Sequence, residues 1–225
     1  MKINKIFAVS CLALASSTAS AAIITQNGNN VSFTYDDATA YGTGNVVGDV
    51  IFFTPTTFLA QSLDGAGIDA TTATLNIDVT AITTGFSMTS FSLAEEGDYK
   101  LSGSGASVSA DGYFAATSLT TNCGLPPCRD TTIFDAGTLN NSNGLLNPWN
   151  MGGTLNLADV AGWGSDTSVR LTIQNNLAAE TLATGEIAFI QKKFSVSIPQ
   201  VPVPAAVWLF ASGLIGLMGV ARRKA

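Results

Sequence analysis

The two cysteines in the centre of the chain have a spacing that suits disulfide chemistry. Cys123 and Cys128 enclose the sequence Gly-Leu-Pro-Pro. Two cysteines this close are expected to pair in an oxidising compartment, where closing the short loop would contribute roughly 2 kcal/mol. A redox site would instead need the C-x-x-C spacing, and a zinc site would need two further ligands. The pattern therefore predicts a structural disulfide between Cys123 and Cys128.

Carboxylates could supply acid–base chemistry, and Glu95, Glu96 and Asp98 form the densest group of them. Glycoside hydrolysis needs two carboxyl groups about 5–10 Å apart that face one substrate. Adjacent residues of a strand point to opposite faces of the sheet, so Glu95 and Glu96 are not expected to act together. We expect a solvated turn here rather than a catalytic pair.

The chain contains no histidine. This excludes Ser-His-Asp and Cys-His catalysis, histidine-ligated zinc and the usual proton shuttle at neutral pH. Calcium remains open at two acidic pairs, Asp36 with Asp37 and Asp64 with Asp69, although neither fits the D-x-[DN]-x-[DN]-G loop. We therefore predict a protein that is not an enzyme and that has no catalytic residue, cofactor or catalytic metal.

Trp149 and Trp163 lie in surroundings rich in glycine and asparagine. Residues 140–153 are predicted to form a long loop, which is either a functional loop or a simple connection. Tryptophan rings on a loop could stack on sugar rings, but a large ring also buries much area when it covers a core. We favour the interpretation that both rings cap the core.

Charge is distributed unevenly along the 225 residues, whose formal net charge is -6. All sixteen acidic residues lie between Asp36 and Glu186, whereas only three of the ten bases lie there and two more, Lys192 and Lys193, follow before the C-terminal tail. Such a surface repels nucleic acid, so nucleic-acid binding is excluded. The negative charge could attract divalent cations or basic partners, or it could simply favour solubility.

Residues 23 to 198 show a hydrophobic period of two, which is typical of strands with one buried face. The clearest run is Ala73, Leu75, Ile77, Val79 and Ala81, and residues 169–173 and 194–198 repeat the pattern. The phase changes between Phe86–Met88 and Phe91–Leu93, which suggests a bulge or bend. No segment predicts an amphipathic helix, and the closest candidate, residues 155–161, is short.

Turn sequences separate these runs of alternating hydrophobicity. They are Asn27-Gly28, Asp64-Gly65, Gly97-Asp98, Asp111-Gly112 and Asn143-Gly144. Asn-Gly and Asp-Gly pairs favour tight turns between antiparallel strands. Many short strands with frequent turns predict an all-β fold, an antiparallel β-sandwich of the jelly-roll or immunoglobulin-like kind.

The N-terminus has the layout of a secretory signal peptide. Lys2 and Lys5 precede an apolar run from Ile6 to Ala15, and Ala19-Ser20-Ala21 places small residues at the -3 and -1 positions of a cleavage site. We predict a signal peptide at 1–21 that engages the secretory translocon and is removed by signal peptidase before Ala22. The alternatives are a membrane anchor and a lipoprotein modified at Cys11.

The C-terminus combines three parts in a fixed order. Val201, Pro202, Val203 and Pro204 precede the apolar segment 205–221, and a basic cluster follows it, formed by Arg222, Arg223 and Lys224. At about 1.5 Å per residue the apolar segment spans roughly 25 Å as a helix, the short end of what crosses a bilayer. The basic cluster marks the cytoplasmic side, so the central region is expected outside the inner membrane.

This order of a proline-rich motif, an apolar helix containing tryptophan and a basic end resembles the PEP-CTERM sorting domain. In this chain Val203 stands where the family name requires Glu. The resemblance implies that an exosortase, an intramembrane cysteine protease, processes the tail and releases the protein to the surface or matrix. It also implies a link to exopolysaccharide and to biofilm formation. The alternative is a plain C-terminal anchor.

Together these features predict three regions: a signal peptide at 1–21, an exported β-sandwich domain at 22–200 and a sorting tail at 201–225 with a transmembrane helix at 205–221. We expect a non-catalytic protein of the cell surface or extracellular matrix, structural or adhesive, that is held transiently in the inner membrane. Exopolysaccharide is a candidate partner. The alternative is a secreted carbohydrate-active enzyme or carbohydrate-binding module built on the same sandwich.

Overall fold

The computed structural model describes residues 22–197, with side chains for residues 22–193. This part of the chain is all-β, with one short 3-10 helix at Leu157–Asp159. The strands are β1 (Ile23–Asn27), β2 (Val31–Asp36), β3 (Asn45–Val47), β4 (Val50–Phe53), β5 (Leu59–Leu63), β6 (Gly67–Ala81), β7 (Ser90–Ser102), β8 (Ser107–Ser118), β9 (Arg129–Asp135), β10 (Asn147–Asn156), β11 (Ser168–Thr181) and β12 (Ile187–Ser197).

These strands form two antiparallel sheets that pack on one shared core. The first sheet has the order β1-β2-β6-β11-β8-β9, and the second has the order β10-β7-β12-β4-β3. Strand β5 also belongs to the second sheet, because it pairs with the first half of β12 while β4 pairs with the second half. Buried side chains from both sheets make up a single hydrophobic cluster, which gives a two-layer β-sandwich-like fold.

The long central strands follow the alternation in the sequence. On β6, Leu75, Ile77 and Val79 are fully buried, and the residues between them face outward or lie half-buried. On β11, every second residue from Val169 to Ala179 is buried in the same way. Each fully buried branched side chain stabilises the fold by about 1.5–3 kcal/mol, and this burial fixes which face of each strand points inward. The predicted strands and the all-β class are confirmed.

Two of the predicted turns are confirmed at strand ends. Asn27-Gly28 ends β1 and opens the connection to β2, where the Gly28 N–H donates to the Val31 carbonyl oxygen at 2.7 Å. Asp64-Gly65 follows β5, and both residues have a positive φ, at 56° and 78°. Gly144 also has a positive φ, of 73°, in the connection before β10.

The turns predicted at Gly97-Asp98 and Asp111-Gly112 are wrong. Both pairs lie inside long strands, β7 and β8. These glycines provide room for neighbouring groups rather than a turn. A Cβ on Gly97 would lie 2.8 Å from the Trp149 ring, and one on Gly112 would lie 2.9 Å from the Asn175 amide.

Three further expectations need correction. Of the loop predicted at 140–153, only the part before Asn147 is a loop, because β10 begins at that residue. The change of phase near Phe86 marks the end of a connection and the start of β7 at Ser90, not a bulge within one strand. The short candidate helix at 155–161 is the end of β10 followed by the 3-10 helix.

The predicted signal peptide at 1–21 and the sorting tail at 201–225 lie outside the described residues. This includes Ala19 and Ala21 at the predicted cleavage site and the three basic residues of the tail. Within residues 22–197, no helix has the length and apolar character needed to cross a membrane.

Candidate functional site

An open groove of about 390 Å³ lies on the second sheet, where four strands come together. Its lining residues are Phe52, Phe53, Thr54, Ala94, Glu95, Glu96, Asn150, Met151 and Lys193. Asn150, Glu96 and Lys193 stand side by side across β10, β7 and β12, because each is paired with the next in the sheet register. Phe52 of β4 is 39% exposed beside them. We call the exposed members of this set the outer groove, since Phe53, Glu95 and Met151 also line it but are buried.

The outer groove combines an apolar ring with several polar groups. Glu96 and Lys193 are opposite charges on neighbouring strands, which is a favourable cross-strand pair. The Asn150 amide and the Thr54 hydroxyl add both donors and acceptors to the same groove. A smaller groove of about 270 Å³ continues from it along Asp98, Pro148 and Trp149. An aromatic face beside amides and charged groups suits a saccharide, which has apolar C–H faces and many hydroxyls.

The acidic cluster of β7 is divided between the two faces of its sheet. Glu96 and Asp98 lie on the outer side, whereas Glu95 is 1% exposed inside the core. The expectation that Glu95 and Glu96 point to opposite faces is confirmed. The expectation of a solvated turn is wrong, because all three residues lie within a long strand.

Glu95 is the centre of a buried polar cluster that joins the two sheets. Its Oε2 lies 3.0 Å from the Nζ of Lys192 on the neighbouring strand β12. The Asn175 amide, on β11 of the facing sheet, donates from Nδ2 to Glu95 Oε1 at 3.0 Å and to Oε2 at 2.8 Å. The side chains of Glu95 and Lys192 are entirely screened from solvent. We call Glu95, Asn175 and Lys192 the core triad.

Two aromatic residues complete the surroundings of the core triad. The rings of Tyr41 and Phe58 stack with centroids 5.3 Å apart. Lys192 Nζ lies 5.3 Å from the Tyr41 centroid and 5.2 Å from the Phe58 centroid. The Tyr41 hydroxyl lies 3.0 Å from both the Asn175 Oδ1 and the Ala73 carbonyl oxygen and can donate its proton to either. The triad is therefore enclosed by rings and by hydrogen bonds.

Burial drives the protonation of the core triad toward its uncharged forms. It raises the pKa of Glu95, although Lys192 and Asn175 partly oppose the rise. It lowers the pKa of Lys192 to about 8, against the opposing attraction of Glu95. Burial also raises the pKa of Tyr41, so its hydroxyl keeps its proton and remains a donor. Burial thus favours the neutral amine and the neutral carboxylic acid more than solvent would.

The core triad was missed at the level of the sequence, although a signal for it is present. Glu95 has the same parity as the buried Phe91, Leu93 and Leu101 of its strand. Lys192 has the same parity as the buried Ala188 and Ile190. The signal in the alternating pattern is a charged residue at an inward-facing position in each of these two strands. Nothing in the sequence indicated that these strands are neighbours or that Asn175 faces them.

The predicted cysteine pair is brought together as expected. The sulfur atoms of Cys123 and Cys128 lie at disulfide-bonding distance, with the Cα atoms 5.1 Å apart. The pair closes the connection between β8 and β9, and Cys128 is buried at its end. The disulfide therefore constrains the connection between β8 and β9, which contains no strand.

Both central tryptophans contact the core, as the favoured interpretation predicted. Trp149 is buried, and its Nε1 donates to the Gln191 carbonyl oxygen at 3.1 Å. Trp163 is half-buried against the core, and its Nε1 donates to the carboxylate of Asp166 at 3.1 Å. Each ring buries its apolar body while its N–H keeps a partner.

The acidic residues considered for calcium bind backbone N–H groups at separate places. Asp36 accepts from Ala38 and Asp37 from Ala22, while Asp64 accepts from Gly185 and Asp69 from Gln61. Among the residues that the structure describes, no three His, Cys, Asp or Glu side chains gather in a way that could hold a metal ion.

Comparison with known proteins adds no family. No protein-family model matches the chain, and no curated protein matches its sequence. One similar solved chain comes from a structure of the infectious bursal disease virus Gt strain, at 13% identity and a TM-score of 0.22. Another comes from the crystal structure of the infectious bursal disease virus VP2 subviral particle, at 14% identity and a TM-score of 0.23.

Both alignments cover 86% of this chain but only 47% and 46% of the viral chains. The chain thus spans about half the length of the solved chains that it matches. Similarity at these TM-scores carries no argument about the fold or the function of this protein.

Proposed function

We propose that the protein is an exported, non-catalytic component of the cell surface or extracellular matrix that binds saccharide through the outer groove. The observation that supports this function is the groove itself, where Phe52 lies exposed beside Glu96, Lys193 and Asn150. An aromatic ring next to amide and charged groups on an open sheet face suits binding of a polymer that lies across the strands. A structural or adhesive role in exopolysaccharide follows from such binding.

The proposal includes finer features that accompany the all-β fold. They are a jelly-roll or immunoglobulin-like arrangement, the signal peptide at 1–21, the membrane helix at 205–221 and sorting by an exosortase-like enzyme. Support for them comes from the sequence of the two ends and from the resemblance of the tail to the PEP-CTERM domain. The disulfide agrees with an oxidising compartment outside the inner membrane.

A carbohydrate-active enzyme on the same scaffold is less well supported. The carboxyl group whose pKa is raised by burial is that of Glu95, and although Glu95 lines the groove, its side chain is entirely screened from solvent and so from a polysaccharide bound there. A general acid must contact the glycosidic oxygen of its substrate. Glu96 and Asp98 share the outer face, but Lys193 is paired opposite Glu96 and lines the same groove, so the two carboxyl groups do not face one substrate alone.

The groove is tested by binding of the purified full-length protein to extracellular polysaccharide isolated from the producing strain. We expect Phe52→Ala to weaken binding at least about fivefold, which corresponds to about 1 kcal/mol of lost ring contact. Ile133→Ala removes a comparably apolar side chain, 83% exposed on strand β9 of the other sheet, and should leave binding unchanged.

Two results would contradict the proposal. Absence of binding by the wild-type protein would exclude this polysaccharide as the ligand and remove the adhesive role. An equal loss in both variants would show that the outer groove is not the binding surface.

A further inference from the structure

An amine, a carboxamide and a carboxyl group meet inside the sandwich, and the proposed surface function uses none of them. We propose that Lys192 and Asn175 condense within the folded chain to form an amide crosslink between the two sheets, with Glu95 transferring the proton. The crosslink would be an internal covalent bond made without any enzyme or cofactor. It goes beyond the proposed function and does not depend on it.

The geometry brings the two reacting side chains to the same oxygen atom. Lys192 Nζ lies 3.0 Å from Glu95 Oε2, and Asn175 Nδ2 lies 2.8 Å from that oxygen. The two nitrogen atoms are therefore separated by no more than the sum of those distances. Three strands fix the arrangement, since β7 and β12 are paired neighbours and β11 faces them across the core. Fixed reactants of this kind react as though at very high concentration.

The reaction balances with the atoms that are present. Glu95 takes a proton from the Lys192 ammonium, which leaves a neutral amine and a carboxylic acid. The Nζ lone pair attacks Asn175 Cγ, and the carbonyl oxygen takes up the displaced electron pair. That pair then re-forms the carbonyl as the Cγ–Nδ2 bond breaks. Nδ2 leaves as ammonia with the proton that Glu95 supplies, while Nζ loses its extra proton to the Glu95 carboxylate. The product is an Nζ–Cγ amide, and no oxidant or reductant is needed.

The surroundings favour each step of this reaction. Lysine becomes nucleophilic when desolvation lowers its pKa, as it does here to about 8. The Glu95 carboxyl group, whose pKa burial raises, lies within hydrogen-bonding distance of both nitrogen atoms and is placed to receive a proton from one and return it to the other. The Tyr41 hydroxyl, 3.0 Å from Asn175 Oδ1, is placed to donate to the oxygen on which negative charge develops.

Crosslinking would also remove an energetic burden from the core. Two opposite charges without solvent carry a desolvation cost that their mutual attraction often fails to repay. Conversion to an amide eliminates the charged amine, and Glu95 can stay protonated as a neutral hydrogen-bonding group. The bond would join β11 to β12, which lie in different sheets, so pulling the sheets apart would require breaking a covalent bond.

Mass spectrometry of the wild-type protein decides the question. The full-length chain is expressed, purified, reduced, alkylated and digested with trypsin together with a protease that cleaves after glutamate, because Glu180 and Glu186 but no lysine or arginine lie between Asn175 and Lys192. We expect a branched peptide that joins the segment containing Asn175 to the segment containing Lys192, lighter than the two segments by one ammonia molecule, with no cleavage after Lys192. Recovery of both segments as linear, unmodified peptides would overturn the proposal, because the triad would then be only an ion pair.

Variants separate this reaction from unrelated losses of ammonia. Glu95→Gln keeps the size of the side chain but cannot carry the proton, so the branched peptide should be lost while circular dichroism still shows a folded β protein. Asn175→Ala removes the reacting carbonyl and serves if Glu95→Gln does not fold. Lys100→Met removes a lysine from the outer side of β7 and should retain the branched peptide. A branched peptide that persists in folded Glu95→Gln would refute the role of Glu95.

Discussion

Asp166 shows how a single residue can organise a connection. Its carboxylate accepts hydrogen bonds from the Ser118 and Thr120 hydroxyls and from the Trp163 indole, and from two backbone N–H groups, of Thr167 and Ser168. It thereby ties the segment before β11 to the end of β8. Partial burial would raise its pKa, but these donors outweigh burial and hold the pKa below its ordinary value of 3.8.

Asp166→Asn should destabilise the fold by about 1–3 kcal/mol. The Asn amide nitrogen is itself a donor, and it would face hydroxyl and N–H donors to which the Asp166 carboxylate now accepts hydrogen bonds. The pKa of Asp166 is lowered in the folded state, so its contribution is fully present above pH 4 or so and is lost as the pH falls through the folded pKa. Urea unfolding of the wild type and the variant at several pH values measures this. The difference between them should shrink in acid.

Asp159→Asn is the matched control for that change. Asp159 is exposed, and its carboxylate accepts only a long contact of 3.4 Å from Asn156. Its substitution should alter the free energy of unfolding by less than about 0.5 kcal/mol. If the difference between wild type and Asp166→Asn were the same at every pH, the proposed role of its ionised form would be wrong.

Lys192→Met tests the core triad as a stabilising unit. The substitution removes the nitrogen that Glu95 contacts, and with it either the ion pair or the proposed crosslink, and loss of one partner from a buried pair typically costs about 3–5 kcal/mol. Protonation of Glu95 limits this cost, since burial already raises its pKa. Thermal and urea unfolding should show the loss, whereas Lys100→Met should stay within about 0.5 kcal/mol of the wild type. Equal stability of both variants would mean that the triad contributes nothing.

At the scale of the elements, β7 depends on a glycine in the middle of its length. The Trp149 ring of β10 packs across Gly97 and reaches the carbonyl oxygen of Gln191 on β12. Strands β7, β10 and β12 therefore contact one another closely at Gly97. Such a glycine reflects a close approach of neighbouring groups rather than a flexible backbone.

Gly97→Ala should lower stability by about 1–3 kcal/mol, because its Cβ would overlap the Gln191 carbonyl oxygen and would crowd the Trp149 ring. Gly164→Ala is the control, since no atom lies within 4 Å of its added Cβ. The midpoint of urea unfolding and the tryptophan fluorescence spectrum report the change. An unchanged midpoint and spectrum for Gly97→Ala would contradict this account of Trp149.

The strands also show how much of the fold can be predicted from the sequence. The alternation of apolar and polar residues between Ala73 and Ala81 predicts β6 well, because one face of that strand is buried and the other faces solvent. The same local logic fails at Gly97-Asp98, where a turn-like pair lies in a strand because of a tryptophan distant in sequence. The core triad could not be predicted from the sequence for a related reason. Its members come from three strands, and one sequence does not specify which strands face each other.

At the scale of the whole molecule, a buried triad and a shared core hold the two sheets together, and the disulfide closes the connection between β8 and β9 within the first sheet. The outer groove lies on the second sheet, next to the buried Glu95 of the core triad. In the proposed function, the rigid interior would support the face that binds the polymer. The proposed sorting tail, at 201–225, would determine where such a sandwich is delivered.

The last prediction concerns that tail. The segment 205–221 is apolar and short, and the basic cluster Arg222, Arg223 and Lys224 is expected to hold its end in the cytoplasm. Replacing the three bases with neutral residues should weaken membrane retention and mislocalise the protein. Replacing Pro202 and Pro204 with Ala should let the helix extend outward, since proline no longer interrupts it, and should block processing. A full-length membrane form would then accumulate.

A fractionated immunoblot measures both the size and the location of the protein, with a tag inserted in the exposed connection after β9. Deleting an exosortase gene of the producing strain should reproduce the effect of the proline substitutions on the wild-type chain. N-terminal sequencing of the released form should find Ala22, give or take one or two residues, since signal peptidase acts at the other end. A wild-type chain that stays full-length in the membrane while an exosortase is present would make the tail a permanent anchor. The sandwich would then function at the membrane, and release into the matrix would be excluded.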